Sequence, residues 1–142
     1  MMLPEQVNIL LIEDDSLDAE MFLRLMRKLK LANPVVHVTD GLEAIDVLLE
    51  QHPDKQVASP LLIVLDVNLP RMNGLEFLEA LKDIPGSFAH RVFLMASTEA
   101  DRALFAHYDA LIDGYMCKSR MGETFSQCVD ELKRLDNEFV SQ

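Results

Sequence analysis

The stretch Leu61-Leu62-Ile63-Val64-Leu65-Asp66 decides the fold: an unbroken aliphatic run closed by a carboxylate and followed by Val67-Asn68-Leu69-Pro70-Arg71-Met72-Asn73-Gly74. A run without alternation reads as a strand covered on both faces, the pattern of a parallel sheet packed between helices. In such sheets ligands gather at the carboxyl ends of the strands. Working outward, the apolar run over 7–12 ends in Glu13-Asp14-Asp15, and the run over 112–117 ends in Lys118. Three strand ends thus deliver carboxylates and one ammonium.

Strand and helix patterns alternate along the chain, the signature of an α/β fold with right-handed crossovers. The first helix is expected to start after Asp15 or Ser16, with Asp15 as its cap and Leu17, Met21, Leu25 and Leu29 as its inward stripe. Its acids Asp15, Asp18 and Glu20 lie early and its bases Arg24, Arg27, Lys28 and Lys30 lie late, as the helix dipole favours. A second strand is predicted over 35–38 and a second helix over 41–49. The turn through Pro70 and Gly74 opens a third helix carrying Leu75, Leu78 and Leu81. A fourth strand over 92–96 and a fourth helix over about 100–108 precede the last strand. The final helix carries Met121, Phe125, Cys128, Val129, Leu132, Leu135 and Phe139 on one face. Docking on the sheet accounts for the first part of that face; Leu135 and Phe139 extend beyond one small sheet, where a homodimer contact is expected.

The 142 residues, 49% hydrophobic, suit one domain over 1–142 with a substantial core and no separate output domain. A net charge of −11 opposes nonspecific binding to nucleic acid or to an anionic membrane. No apolar stretch approaches the roughly 18 residues that span a bilayer, and no basic leader opens the chain, so a cytoplasmic location is expected. Cys117 and Cys128 form no CxxC pair and lie near no histidine cluster, and both read as small apolar core residues. His37, His52, His90 and His107 are scattered over different elements and form no triad or metal motif.

Glu13, Asp14 and Asp66 converge if the first and third strands are neighbours. Clustered carboxylates repel one another, and a bound hard cation relieves that repulsion; Mg²⁺ prefers such oxygen ligands. For Asp66 alone, an Asx turn or helix cap would be the ordinary reading.

Taken together, these landmarks resemble the receiver domains of two-component response regulators over nearly the whole chain. Glu13-Asp14, the block from Asp66 to Gly74, Ala96-Ser97-Thr98, and Tyr115 with Lys118 carry the resemblance. It implies a flavodoxin-like (βα)5 fold, a doubly wound five-stranded parallel sheet of order 2-1-3-4-5. It also implies that Asp66 accepts a phosphoryl group from a sensor histidine kinase with Mg²⁺, and that the protein signals by protein contacts rather than as an enzyme. Asp14 and Asp66 would ligate Mg²⁺ directly, Glu13 through water and Asn68 through its backbone carbonyl. Lys118 would pair with the phosphoryl charge, and Tyr115 would be the aromatic switch. The hydroxyl switch is open: counting back 22 residues from Lys118 lands on Ala96, which has no hydroxyl, and a shift of one lands on Ser97. Ser119 stands where the family usually has proline, and a trans Lys118-Ser119 bond is expected. The basic end of the first helix reads both as an ordinary helix terminus and as a docking point for the kinase. Within the family, the Asp66 block and acidic opening are similar to small receivers that serve phytochrome-type kinases.

Three other readings stand beside this one. A magnesium-dependent phosphatase would need an acid/base Asp at position 68, which is Asn. A flavin carrier would need a phosphate-cradling loop where Glu13-Asp14-Asp15 stands. A constitutive receiver-fold binding module, unregulated by phosphorylation, is compatible with Ala96 and Ser119.

Overall fold

The computed structural model describes residues 3–84 and 90–135, the last of these by its backbone alone. Strands β1 (Asn8–Ile12), β2 (Val35–Val38), β3 (Leu61–Asp66), β4 (His90–Ala96) and β5 (Gly114–Cys117) alternate with helices α1 (Ser16–Lys28), α2 (Gly41–Leu48), α3 (Gly74–Lys82), α4 (Glu99–Ala103) and α5 (Met121–Leu135). The strands form one sheet of order β2-β1-β3-β4-β5, parallel throughout. The fold is thus the flavodoxin-like (βα)5 fold, of order 2-1-3-4-5, that the family resemblance implies.

Both faces of the sheet are covered, as the unalternating β3 run requires. Every residue of β3 is buried. On one face Ile9, Leu11, Leu62 and Val64 meet α1 and α5; on the other Leu10, Ile12, Ile63 and Leu65 meet α2, α3 and Phe105. Phe125 of α5 packs edge-on against Phe22 of α1 at 5.6 Å between centroids and against Phe93 of β4 at 6.1 Å. Such pairs add about 0.5–1.5 kcal/mol each beyond the area they bury.

Three expectations are corrected. Leu17 and Met21, placed on the inward stripe of α1, are 75% and 47% exposed; Ala19, Phe22, Leu25 and Met26 form the buried face. Steps of four drift around a helix of 3.6 residues per turn, and the large aromatic Phe22 sets which side turns inward. The fourth helix is short, ending at Ala103, and a 3₁₀ helix over Ala106–Leu111 follows. Phe105, buried beneath Gly74, fixes the break between them. β5 opens at Gly114, two residues late, because Asp113 takes the ladder's place: its carboxylate accepts the Val92 N–H at 2.8 Å and its own N–H donates to the Val92 carbonyl at 2.7 Å. The side chain of Leu135 and the whole of Phe139, and with them the expected dimer contact, lie outside the described residues.

Candidate functional site

The carboxyl ends of β1, β3 and β5 build the site. β1 and β3 are adjacent, but the chain leaves them toward opposite faces of the sheet, which opens a crevice between their ends. Glu13 and Asp14 follow β1 and Asp66 closes β3, and one carboxylate oxygen from each lies within 4.8 Å of the others. Lys118 follows β5 directly. Its Nζ lies 3.2 Å from Asp66 Oδ1 and 3.3 Å from Glu13 Oε2. The structure therefore brings together Glu13, Asp14, Asp66 and Lys118.

Each member is held by local structure. Glu13 is fully buried, and its Oε1 accepts the Asp15 N–H at 3.0 Å. The Glu13 carbonyl accepts from Nε2 of His37 at 2.7 Å, which ties β2 to the first acidic residue. Asp15 caps α1, its Oδ1 accepting the N–H groups of Leu17 and Asp18. Asp66 is 3% exposed, and its Oδ1 accepts the Asn68 N–H at 3.4 Å in an Asx-type turn. Beyond it, Arg71 adopts a positive φ of 59° and its Nε donates to Asp40 Oδ2 at 2.7 Å. Asp40 is also the cap of α2, so the turn after β3 is fastened to the neighbouring helix.

The electrostatics are those of a site short of positive charge. Burial, and then the charge of Asp66, push the Glu13 carboxyl up to about 8. Burial likewise raises Asp66, against the pull of Glu13 and Lys118. For Lys118, burial works against the ammonium, but Asp18, Asp66 and Glu13 together hold it above the ordinary lysine range. Glu13 Oε2 is buried and, although the Lys118 ammonium lies 3.3 Å away, it accepts no hydrogen bond. Three hard oxygen donors, one of them buried and unsatisfied, fit a hard divalent cation.

The switch candidates stand on or just after β4 and on β5; Met95, one residue before Ala96, pairs with Asp66. Ala96 is buried at the end of β4 in register with Cys117, while Ser97 is exposed in the loop that follows. Thr98 Oγ1 is engaged as the cap of α4, accepting the Asp101 N–H at 3.0 Å. Tyr115 donates its hydroxyl to Asp109, and the Arg102 guanidinium lies 4.2 Å above its ring. Burial, and then that bond, push its phenol up to about 12. Tyr115 thus engages α4 and the 3₁₀ turn. Lys118-Ser119 is trans, and Ser119 Oγ lies 3.1 Å from Cys117 Sγ.

One partner in the site was not legible beforehand. Asp18 Oδ2 accepts from Lys118 Nζ at 2.7 Å, the shortest of that lysine's contacts. As an early acid on α1 it reads from sequence only as a dipole residue; its place one turn after Asp14, on a helix rising from the same strand end, is the available signal.

The family described as "Response regulator receiver domain" matches residues 9–129. The chain belongs to that family. This receiver is 29% identical over 112 residues to the response regulator Rcp1 of Synechocystis sp., covering 79% of this chain and 76% of that one. Among solved structures it is similar to the bacteriophytochrome response regulator RtBRR, at 30% identity and a TM-score of 0.75, covering 93% of this chain and 78% of that one. It is also similar to the Mn²⁺-bound form of response regulator Rcp1, at 25% identity and a TM-score of 0.64, covering 94% and 96% of the two chains. No helix of the described residues is long and apolar enough to cross a membrane.

Proposed function

We propose that this receiver takes a phosphoryl group on Asp66 from the phosphohistidine of a partner kinase, or from a small acyl phosphate, with Mg²⁺ bound beside it. The observation that carries this reading is the buried Asp66 carboxylate, 3.2 Å from the Lys118 ammonium and flanked by Glu13 and Asp14. An Asp66 oxygen attacks phosphorus, the bond from phosphorus to the histidine nitrogen breaks, and the imidazole leaves with its electron pair. Lys118 neutralises the phosphoryl oxygens. Asp14 and Asp66 would hold the cation directly, with the Asn68 carbonyl, and Glu13 through water. When bound, the ion supplies charge neutralisation at the transferring group. The carboxylate and carbonyl oxygens suit Mg²⁺ and equally Mn²⁺, the ion named for the related Rcp1 structure.

The state of Asp66 then biases a protein-binding face built on α4, β5 and α5, with Ser97 offering the hydroxyl and Tyr115 the aromatic. A histidine kinase in the cytoplasm is the proposed partner, of the phytochrome type by similarity to the bacteriophytochrome regulators. A homodimer through the C-terminal region and a separate protein target complete the proposal. A second reading, a constitutive binding module, draws support from the hydroxyl-free Ala96 at the end of β4 and from Tyr115 already held by Asp109 and Arg102.

Intact-protein mass spectrometry after incubation with Mg²⁺ and acetyl phosphate separates the two. Gain of one phosphoryl group in wild type and none in Asp66→Asn supports the receiver chemistry. No gain, with acetyl phosphate or with a phosphorylated kinase, favours the constitutive module.

A further inference from the structure

Lysine is a compact charge on a flexible stem, and an ammonium that must meet a phosphoryl oxygen gains from being held in place beforehand. Lys118 has three N–H donors and three carboxylates around it: Asp18 at 2.7 Å, Asp66 at 3.2 Å and Glu13 at 3.3 Å. Only the Asp18 contact has both the length and the geometry of a strong charge-assisted hydrogen bond. It also joins residues 100 positions apart, fixing α1 to the end of β5. An acid in the first turn of a helix is favoured by the dipole wherever the helix lies, so its position alone says nothing. What it holds is the informative fact.

We propose that Asp18 is the positioning residue of the phosphoryl site: it takes one donor of Lys118 and thereby aims the other two at Asp66 and the group transferred to it. This rests on the phosphoacceptor reading of Asp66. Asp18 is not expected to bind the cation, since its carboxylate is committed to the ammonium. The charge it adds disfavours an incoming phosphoryl dianion, and the proposal holds that orientation outweighs this cost.

The test measures single-turnover phosphorylation by acetyl phosphate at saturating Mg²⁺ for wild type, Asp18→Ala, Asp18→Asn, Asp18→Glu, Lys118→Ala and the Asp18→Ala/Lys118→Ala double variant. Mg²⁺ affinity by calorimetry, and beryllofluoride binding by fluorine NMR, are followed in parallel. Asp18→Ala is expected to slow phosphorylation about tenfold and to weaken beryllofluoride binding, with Mg²⁺ affinity within about twofold of wild type. Asp18→Glu recovers part of the rate, and Asp18→Asn, folded through the same helix, falls between Ala and wild type. In the Lys118→Ala background the loss of Asp18 has no further effect, because the lysine it aims is gone. Equal losses in both backgrounds, or an Asp18→Ala rate at or above wild type, overturn the proposal. A wild type that takes no phosphoryl group overturns the phosphoacceptor reading itself, and this inference with it.

Discussion

Replacing Asp40 probes how the turn after β3 is held. Asp40 is 4% exposed and uses both oxygens: Oδ1 accepts the Glu43 N–H at 2.8 Å as the cap of α2, and Oδ2 accepts from Arg71 Nε at 2.7 Å. Loss of the cap costs about 1 kcal/mol. Loss of the pair costs about 0.5 kcal/mol, because the Arg71 side chain is 61% exposed and water screens it. Asp40→Ala should therefore lower stability by about 1.5 kcal/mol, or a Tm shift of roughly 3–6 °C for a chain of this size. Asp40→Asn keeps the cap acceptor and gives up the charge, for about 0.5 kcal/mol. The consequence reaches the site. α2 and the turn press together closely enough that a Cβ on Gly41 would fall 2.8 Å from the Met72 carbonyl, so freeing Arg71 loosens the segment that begins at Asn68. Urea unfolding followed by circular dichroism, with Mg²⁺ titration on the same samples, measures both effects. An Asp40→Ala protein within about 0.5 kcal/mol of wild type would refute the argument, as would equal losses for Ala and Asn.

Three further outcomes are expected. Burial alone would raise the Glu43 carboxyl, but the Thr39 N–H, His52 and Lys55 outweigh it and hold it down at about 2. A depressed folded-state value stabilises above the unfolded one, so wild type should lose about 2 kcal/mol as pH falls from about 4.5 toward 2, and Glu43→Gln should show a flatter acid limb in pH-dependent unfolding. Because Glu13 is pushed up to about 8 and a cation needs its carboxylate, Mg²⁺ affinity by calorimetry should fall as pH drops from 9 to 6, with proton release on binding; a flat profile would contradict this. Burial pushes the Cys128 thiol up to about 11, whereas hydrogen bonding from Ser119 lowers half-buried Cys117, so timed iodoacetamide labelling read by peptide mass should modify Cys117 first.

What could be read in the sequence were features that local pattern alone determines. The unbroken β3 run signals burial on both faces whatever surrounds it, and the acids closing β1 and β3 converge because the two are neighbours in a parallel sheet, with the lysine after β5 reaching across. Asp15 as a cap follows from its place before a helix. The differences arise where distant packing decides. Leu17 and Met21 match an apolar stripe, yet the aromatic contact between Phe22 and Phe125 chooses the face of α1 that turns inward. The fourth helix stops where Phe105 needs a place beneath Gly74. Asp18 looked like one of several early acids because its partner stands 100 residues on. Ala96 against Ser97 is a question of register; β4 ends with Ala96 buried opposite Cys117, and Ser97 is exposed in the loop that follows.

The proposed chemistry rests on one atom, an oxygen of Asp66. Borohydride reduces an aspartyl phosphate to homoserine, so treating the protein with acetyl phosphate and Mg²⁺, reducing it and sequencing its peptides by mass spectrometry reads the position of the acyl phosphate. Homoserine is expected at position 66 alone, and none when Mg²⁺ is chelated before acetyl phosphate is added. Homoserine at another carboxylate, or none under conditions that saturate the cation site, would contradict that chemistry.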